Sequence, residues 1–342
     1  MPPADAALRP SPAAGGRAPS PRDPRRAARA TATLAALGAA LLVAVACTGD
    51  RKPAARGDSV GAGPPPADSA AVPAAAPAAL GWSDTAAGPA LFIPAQNAGS
   101  TQLVFPTFTD STLTDSSKFD LGSVRGARVD LFTRSGAVGS APLGSDPAAP
   151  SREEECTSWP TARLATAPGT WAVGFAAGHA TAIPLDSIEG LAPTDSARLA
   201  ADVARLASAL PNDTAPAFRG LPFTVRTVRR FSPAPGVQAL VADVRRKVNQ
   251  EANPREEHIL LVAERDSAQP ASPWTAAYAE RVADNEETIE SSDVLAAVAL
   301  GPRRVPTLVI GREYGEGFAY ALLERAGPKK WRLRWSSAYA GC

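Results

Sequence analysis

The chain has 342 residues and a formal net charge of +1, with 35 Lys and Arg set against 34 Asp and Glu. That balance leaves no basic stripe of the kind that binds nucleic acid and no polybasic patch for an anionic membrane. Every Phe, Trp and Tyr lies between Trp82 and Tyr339. A core needs those large side chains, so the globular body is expected over 81–342, either whole or as subdomains of about 81–190 and 191–342.

Residues 1–24 are dominated by Pro, Ala, Gly and Arg without periodicity, a composition that cannot bury enough apolar surface to order itself. Arg25-Arg26-Ala27-Ala28-Arg29 follows, then seventeen uncharged, mostly apolar residues (30–46), then Cys47. Seventeen residues sit at the lower edge of what spans a bilayer, and the small residues at the end also suit cleavage of a secretory signal. The whole stretch resembles a bacterial lipoprotein signal peptide: a basic n-region, a short apolar core, and Val43-Ala44-Val45-Ala46-Cys47 in the place of the lipobox. The resemblance implies that residues 1–46 are a disordered leader plus signal peptide and that Cys47 becomes the first residue of the mature protein. It further implies acyl chains such as palmitate on Cys47, so that the membrane is a partner through the lipid anchor. Several acyl chains hold a bilayer firmly where one does so marginally. Thr48 rather than Asp after the cysteine implies, by analogy with enterobacterial sorting, the outer membrane (periplasmic side or surface) over the inner. Residues 47–80, rich in Ala, Pro and Gly and including Pro64-Pro65-Pro66, then read as a tether reaching roughly 30 Å as a coil and roughly 100 Å fully extended.

The body reads as mainly β (α+β), with antiparallel sheets and meanders. Ala90–Pro94, Gln102–Phe105, Ala127–Phe132, Trp171–Phe175 and His179–Ile183 are apolar runs bounded by Pro, Gly, Ser and Asp, as strands require. Residues 135–158, rich in Gly, Pro and Ser, read as a loop. One amphipathic helix is expected at about 194–210, capped by Thr194 and ended by Pro211-Asn212. Its buried face would carry Leu199, Val203, Leu206 and Leu210, with Arg198 and Asp202 paired on the other. Two later segments show similar order: Leu240-Val241, Arg245, Leu261–Arg265, Trp274, Ala277-Tyr278, and then Leu308-Val309, Arg312, Leu322–Arg325, Trp331, Ala338-Tyr339. They suggest two related meanders packed together, the second ending in a strand where Trp331, Leu333 and Trp335 alternate with Arg332 and Arg334.

Motifs for chemistry are few. The two histidines, His179 and His258, form no zinc spacing, and Glu256-Glu257-His258 reads as a solvated turn at a strand mouth. The acidic run Asp284, Glu286, Glu287, Glu290 and Asp293 lacks the spacing and turn glycine of a calcium loop, so it reads as a solvated face. Arg226, Arg229, Arg230, Arg245, Arg246 and Lys247 fall on expected neighbouring strands and read as a mixed charged surface that guards sheet edges. No metal, cofactor or catalytic residue is assigned. With Cys47 acylated, Cys156 and Cys342 remain, and an exported protein most simply joins them, closing a loop worth roughly 4–5 kcal/mol in the chain-entropy account. The expected function is that of a non-catalytic envelope lipoprotein, a binding or structural module for an envelope protein or polymer. The alternatives are an inhibitor-like module that blocks an envelope hydrolase, and an extracytoplasmic hydrolase.

Overall fold

The computed structural model describes residues 89–95, 99–106, 126–144, 152–153, 156–164, 169–211, 215–248, 254–269 and 271–342. The leader, Cys47 and the tether lie outside the described residues. Within them the chain is mainly β: eighteen strands and one long helix, in a unit that spans Ala71–Cys342.

Strands β1 (Leu91–Pro94), β2 (Ser100–Val104), β3 (Arg128–Thr133), β4 (Gly136–Pro142), β7 (Thr161–Arg163) and β8 (Val173–Ala176) build an N-terminal sheet of order β4-β3-β8-β1-β2-β7. The short pair β5 (Arg152–Glu153) and β6 (Cys156–Thr157) stands apart from it. The four expected strands that begin at Ala90, Gln102, Ala127 and Trp171 all fall in this sheet. Residues 136–142, expected as loop, instead form its edge strand β4. An edge strand half open to solvent needs no apolar alternation, and the Gly and Ser that disguise it are tolerated there.

The chain then crosses between two further sheets. Strand β9 (Ala180–Ile183) pairs with β15 (Ser291–Leu300), and β10 (Asp186–Ser187), two residues later, pairs with β11 (Thr224–Ala234). Around β11 the meander β11, β12 (Val237–Val248), β13 (Arg255–Asp266) and β14 (Thr275–Asn285) gives a sheet of order β10-β11-β12-β13-β14. Around β15 the meander β15, β16 (Val305–Tyr314), β17 (Gly317–Gly327) and β18 (Lys330–Ser336) gives β18-β17-β16-β15-β9. The two meanders expected from sequence are thus present, each with an added edge strand. Their residue phase drifts: Leu240 turns toward the helix, whereas Leu308 turns toward the other sheet.

Helix α1 (Pro193–Ala209) lies on the outer face of the sheet that contains β12 and β13, through Leu199, Val203 and Ala207. It starts one residue earlier than expected. Ala192 at the N-cap gives no side-chain hydrogen bond, and Pro193 opens the first turn, where its missing N–H costs nothing. Thr194 is therefore not the cap. The surface pairs are Arg198 with Asp195 at 3.0 Å and Arg205 with Asp202, in place of Arg198 with Asp202.

The layers run helix, helix-backed sheet, central sheet, N-terminal sheet. Val241, Leu260 and Val262 meet Leu308, Ile310, Ala321 and Leu323 between the second and third layers. Val309, Tyr320, Leu322 and Trp335 on the opposite face of the central sheet meet Leu91, Val104, Phe132 and Phe175 of the N-terminal sheet. Both faces of the central sheet are covered, so Leu308–Ile310 and Ala319–Leu323 are apolar without interruption. Glu264 crosses the inner layer: it accepts from Arg325 at 2.7 and 2.9 Å, from the Lys329 amide at 2.9 Å and from Trp331 Nε1 at 2.6 Å. Burial alone would push this carboxyl up, but those four hydrogen bonds outweigh it and hold it below the ordinary range.

The Cys156–Cys342 disulfide forms. It fastens a C-terminal strap whose Ala340 exchanges both backbone hydrogen bonds with Phe318 and whose Gly341 carbonyl accepts from Thr157.

Two outcomes follow. Glu264 is depressed, so its stabilisation is complete above the unfolded carboxyl pKa and lost as pH falls through the lower folded value. Glu264→Gln should cost about 1.5–3 kcal/mol at pH 7, and urea titrations of variant and wild type should converge on acidification below the ordinary glutamate range. Cys342→Ser should lower stability by up to about 4–5 kcal/mol, read as a shift in urea midpoint that reducing agent reproduces in the wild type and not in the variant.

Candidate functional site

At one end of the sandwich the strands stop together. β13 begins at Arg255, β15 begins at Ser291, and β16 turns into β17 at Gly315. Two adjoining cavities open there. One, of about 340 Å³, is lined by Ile93, Pro94, Leu295, Phe318 and Tyr320, with Arg312 and Asp293 at its border. The other, of about 260 Å³, is lined by Arg226, Arg245, Glu256, His258, Glu287 and Tyr314, among others. Both are bordered by Ser291 and Glu313, which face each other across β15 and β16. The two meet at this edge of the central sheet, the apolar one on the side of the N-terminal sheet and the polar one on the side of the helix-backed sheet, and together they are termed the cleft, with an apolar half and a polar half.

The apolar half owes its shape to a bulge. The β15–β16 register slips between Val294 and Ala296, and the extra residue, Leu295, packs against the core beneath the central sheet. Gly311 faces it across the strands, and a Cβ there would reach Leu295 at ordinary contact distance. Phe318, 45 % exposed, is one of two large apolar side chains the described residues leave open to solvent, and it lies at this border. Tyr320 is buried behind it, and burial pushes its phenol up to about 12.

The polar half corrects the reading of Glu256-Glu257-His258. These residues are the start of β13, and they are buried: 4 %, 0 % and 8 % exposed. Strand alternation separates them. Glu257 points to the helix side, held by Arg246 at 2.6 Å and Arg281 at 3.1 Å, with Arg246 stacked on Phe223. Glu256 and His258 point to the cleft side. The His258 ring bonds Glu256 Oε2 through Nε2 at 2.7 Å, while its buried Nδ1 has no partner. Burial would raise Glu256, but the His258 hydrogen bond and the charges of Arg245 and Lys247 hold it down.

The basic residues expected as a surface patch lie on β11 and β12 as supposed, but Arg226, Arg245, Arg246 and Lys247 are paired with acids. Arg245 and Lys247 each sit 3.6 Å from Glu256, Lys247 reaches Glu286 at 2.5 Å, and Arg226 lies 4.0 Å from Asp243. Asp243 is itself pushed up by burial, against the pull of His258, Arg226 and Arg245. The acidic run divides. Glu290 faces Arg312 at 3.5 Å and is raised, chiefly by burial. Asp293 pairs with Arg134, while Asp284, Glu286 and Glu287 are exposed. Arg312, the border residue, spans the layers to Glu280 with contacts of 2.8 and 2.7 Å.

His179 sits exposed on the turn before β9, in a different sheet from His258. No group of three metal-ligating side chains occurs among the described residues, and no helix among them is long and apolar enough to cross a membrane. Sequence reasoning singled out His258 and Glu287 but gave them no shared site. Leu295, Phe318, Tyr314 and Glu313 were missed, because nothing local marks a strand end as a cleft wall.

Comparison with protein-family models, with curated proteins and with solved structures finds no match to this chain.

Arg312→Met should remove the tie between the sheets and leave Glu280 without the Nη2 that bonds both of its oxygens. A loss of about 1.5–3 kcal/mol is expected in urea unfolding, with Arg312→Lys recovering only part of it because one ammonium cannot face both Glu280 and Glu290 as the guanidinium does.

Proposed function

We propose that the protein is a membrane-anchored lipoprotein of the bacterial cell envelope, acylated at Cys47, whose β body is a non-catalytic binding module with the two-part cleft as its ligand site. The observation that carries the binding reading is the cleft itself. An apolar floor beside a small set of polar groups, each half several hundred Å³ or close to it, is the ordinary form of a small-molecule site. The surrounding ionisable groups are largely spent on one another: Arg245 and Lys247 on Glu256, Arg312 on Glu280, Arg134 on Asp293. Groups so committed hold a shape and are costly to recruit for proton transfer.

The anchor reading rests on the stretch from Arg25 to Cys47 and on the tether of residues 48–80 that follows it. A body held on such a leash samples the space near the outer membrane, whether its target is another envelope protein, an envelope polymer or a solute. Nucleic acid does not figure as a partner.

An extracytoplasmic hydrolase is the second reading, and one arrangement favours it. Glu256 orients His258, the second ring nitrogen is unpartnered, and Ser291 lines the same half of the cleft. That is the order of parts in a nucleophile, base and orienting acid.

The test takes the native exported protein. Wild type should partition into the detergent phase and release fatty acid on hydrolysis, while Cys47→Ala should move to the aqueous fraction. Unchanged partitioning would remove the anchor. A fluorophosphonate probe should leave Ser291 unlabelled, and His258-dependent labelling of Ser291 would transfer the assignment to the hydrolase.

A further inference from the structure

We propose that the cleft recognises an organic ammonium group carried on an apolar body, a proposal that rests on the cleft being a ligand site. The argument begins with which charges are left over. Arg226, Arg245 and Arg312 border the cleft, but Asp243, Glu256 and Glu280 respectively answer them. Asp293 is answered by Arg134, and Glu286 by Lys247. Among the described residues Glu287 and Glu313 remain, both exposed, both lining the polar half, and neither paired. Glu313 also borders the apolar half, so one free carboxylate stands at the junction.

His258 adds an independent sign of the same kind. It is more than nine-tenths buried and lines the polar half, with Nδ1 unpartnered. In the tautomer that directs Nε2–H at Glu256, Nδ1 is a lone pair, an acceptor. The unmet groups of the polar half are therefore two anions and one acceptor, all suited to a cationic donor, while Arg312 Nε, an unbonded donor at the apolar border, already faces the Glu290 carboxylate at 3.5 Å. Aromatic rings complete the setting. Tyr314 lines the polar half and stacks on Tyr339 with ring centroids 4.4 Å apart, while Phe318 and Tyr320 line the apolar half. Ring faces attract ammonium ions and shelter the carbon chain attached to them. An anionic ligand would meet Glu287 and Glu313 with no free cation in return.

The test uses three isosteric probes on the purified protein, 2-phenylethylammonium, 2-phenylethanol and phenylacetate, followed by NMR of the Tyr314 and Phe318 ring signals. The ammonium should bind about tenfold more tightly than the alcohol, and phenylacetate more weakly still. The exposed double change Glu287→Gln and Glu313→Gln should bring the ammonium down to the level of the alcohol and leave the alcohol unchanged. Alcohol or phenylacetate binding as tightly as the ammonium would overturn the cation assignment while leaving the cleft a ligand site, as would an ammonium affinity indifferent to the double change. If no probe moves those ring signals, the cleft is not a small-molecule site and both readings fall together.

Discussion

The central sheet has no solvent face, and most of the molecule follows from that constraint. Leu308, Ile310, Ala321 and Leu323 are covered by the helix-backed sheet, and Val309, Tyr320, Leu322 and Trp335 by the N-terminal sheet. Large apolar side chains on both faces of one sheet require a covering layer on each side, and here both layers are sheets. Polar residues in such a layer must bring their partners with them, because an unpaired buried charge costs far more than the pair contributes. Glu264 with Arg325, and Arg312 with Glu280, meet that demand at the two ends of the inner layer. The ion pairs therefore fix the alignment of the two meanders and add little to net stability.

Where that layering ends, the cleft begins. The bulge at Leu295 and the tight turn from Tyr314 to Gly317 fall at the end where the strands stop, and the cavities open beside them. The C-terminal strap packs against one of the cleft's lining residues, Tyr314. Gly317 and Gly341 lie so close to Tyr339 that a Cβ at either would collide with it, and Tyr339 in turn stacks on Tyr314. The disulfide at the end of the strap thus acts on the cleft as well as on the unfolded chain, because it holds the residues that support Tyr314, Phe318 and Tyr320.

Legibility in the sequence tracked how local each cause was. Apolar runs bounded by turn residues revealed β1, β2, β3, β8 and β9, and a 3.6-residue period revealed α1, since neighbours in sequence suffice for those features. The order of the two meanders showed through as well. Strand β4 was hidden because an edge strand of Gly, Ala and Ser carries no period. Glu256-Glu257-His258 misled for a different reason: three polar residues in a row read as solvated, whereas all are buried, the two acids with Arg245, Arg246 and Arg281 of β12 and β14 and the histidine with Glu256. Those partners come from strands whose pairing only the fold reveals. The cleft walls were illegible on the same grounds, because Phe318 and Leu295 differ from core residues only in where the neighbouring layer stops.

The same geometry bears on the choice between binding and catalysis. A general base works best when its proton affinity is poised near the ambient pH and its surroundings can reorganise around the proton. His258 sits beside Glu256, but Glu256 is shared with Arg245 and Lys247, so the carboxylate that would orient the ring is already held by two other side chains. A carboxylate so committed serves chiefly to hold the ring in place. The proposed ligand site asks less of this arrangement than a hydrolase would, since binding requires only that the ring and its carboxylate hold still.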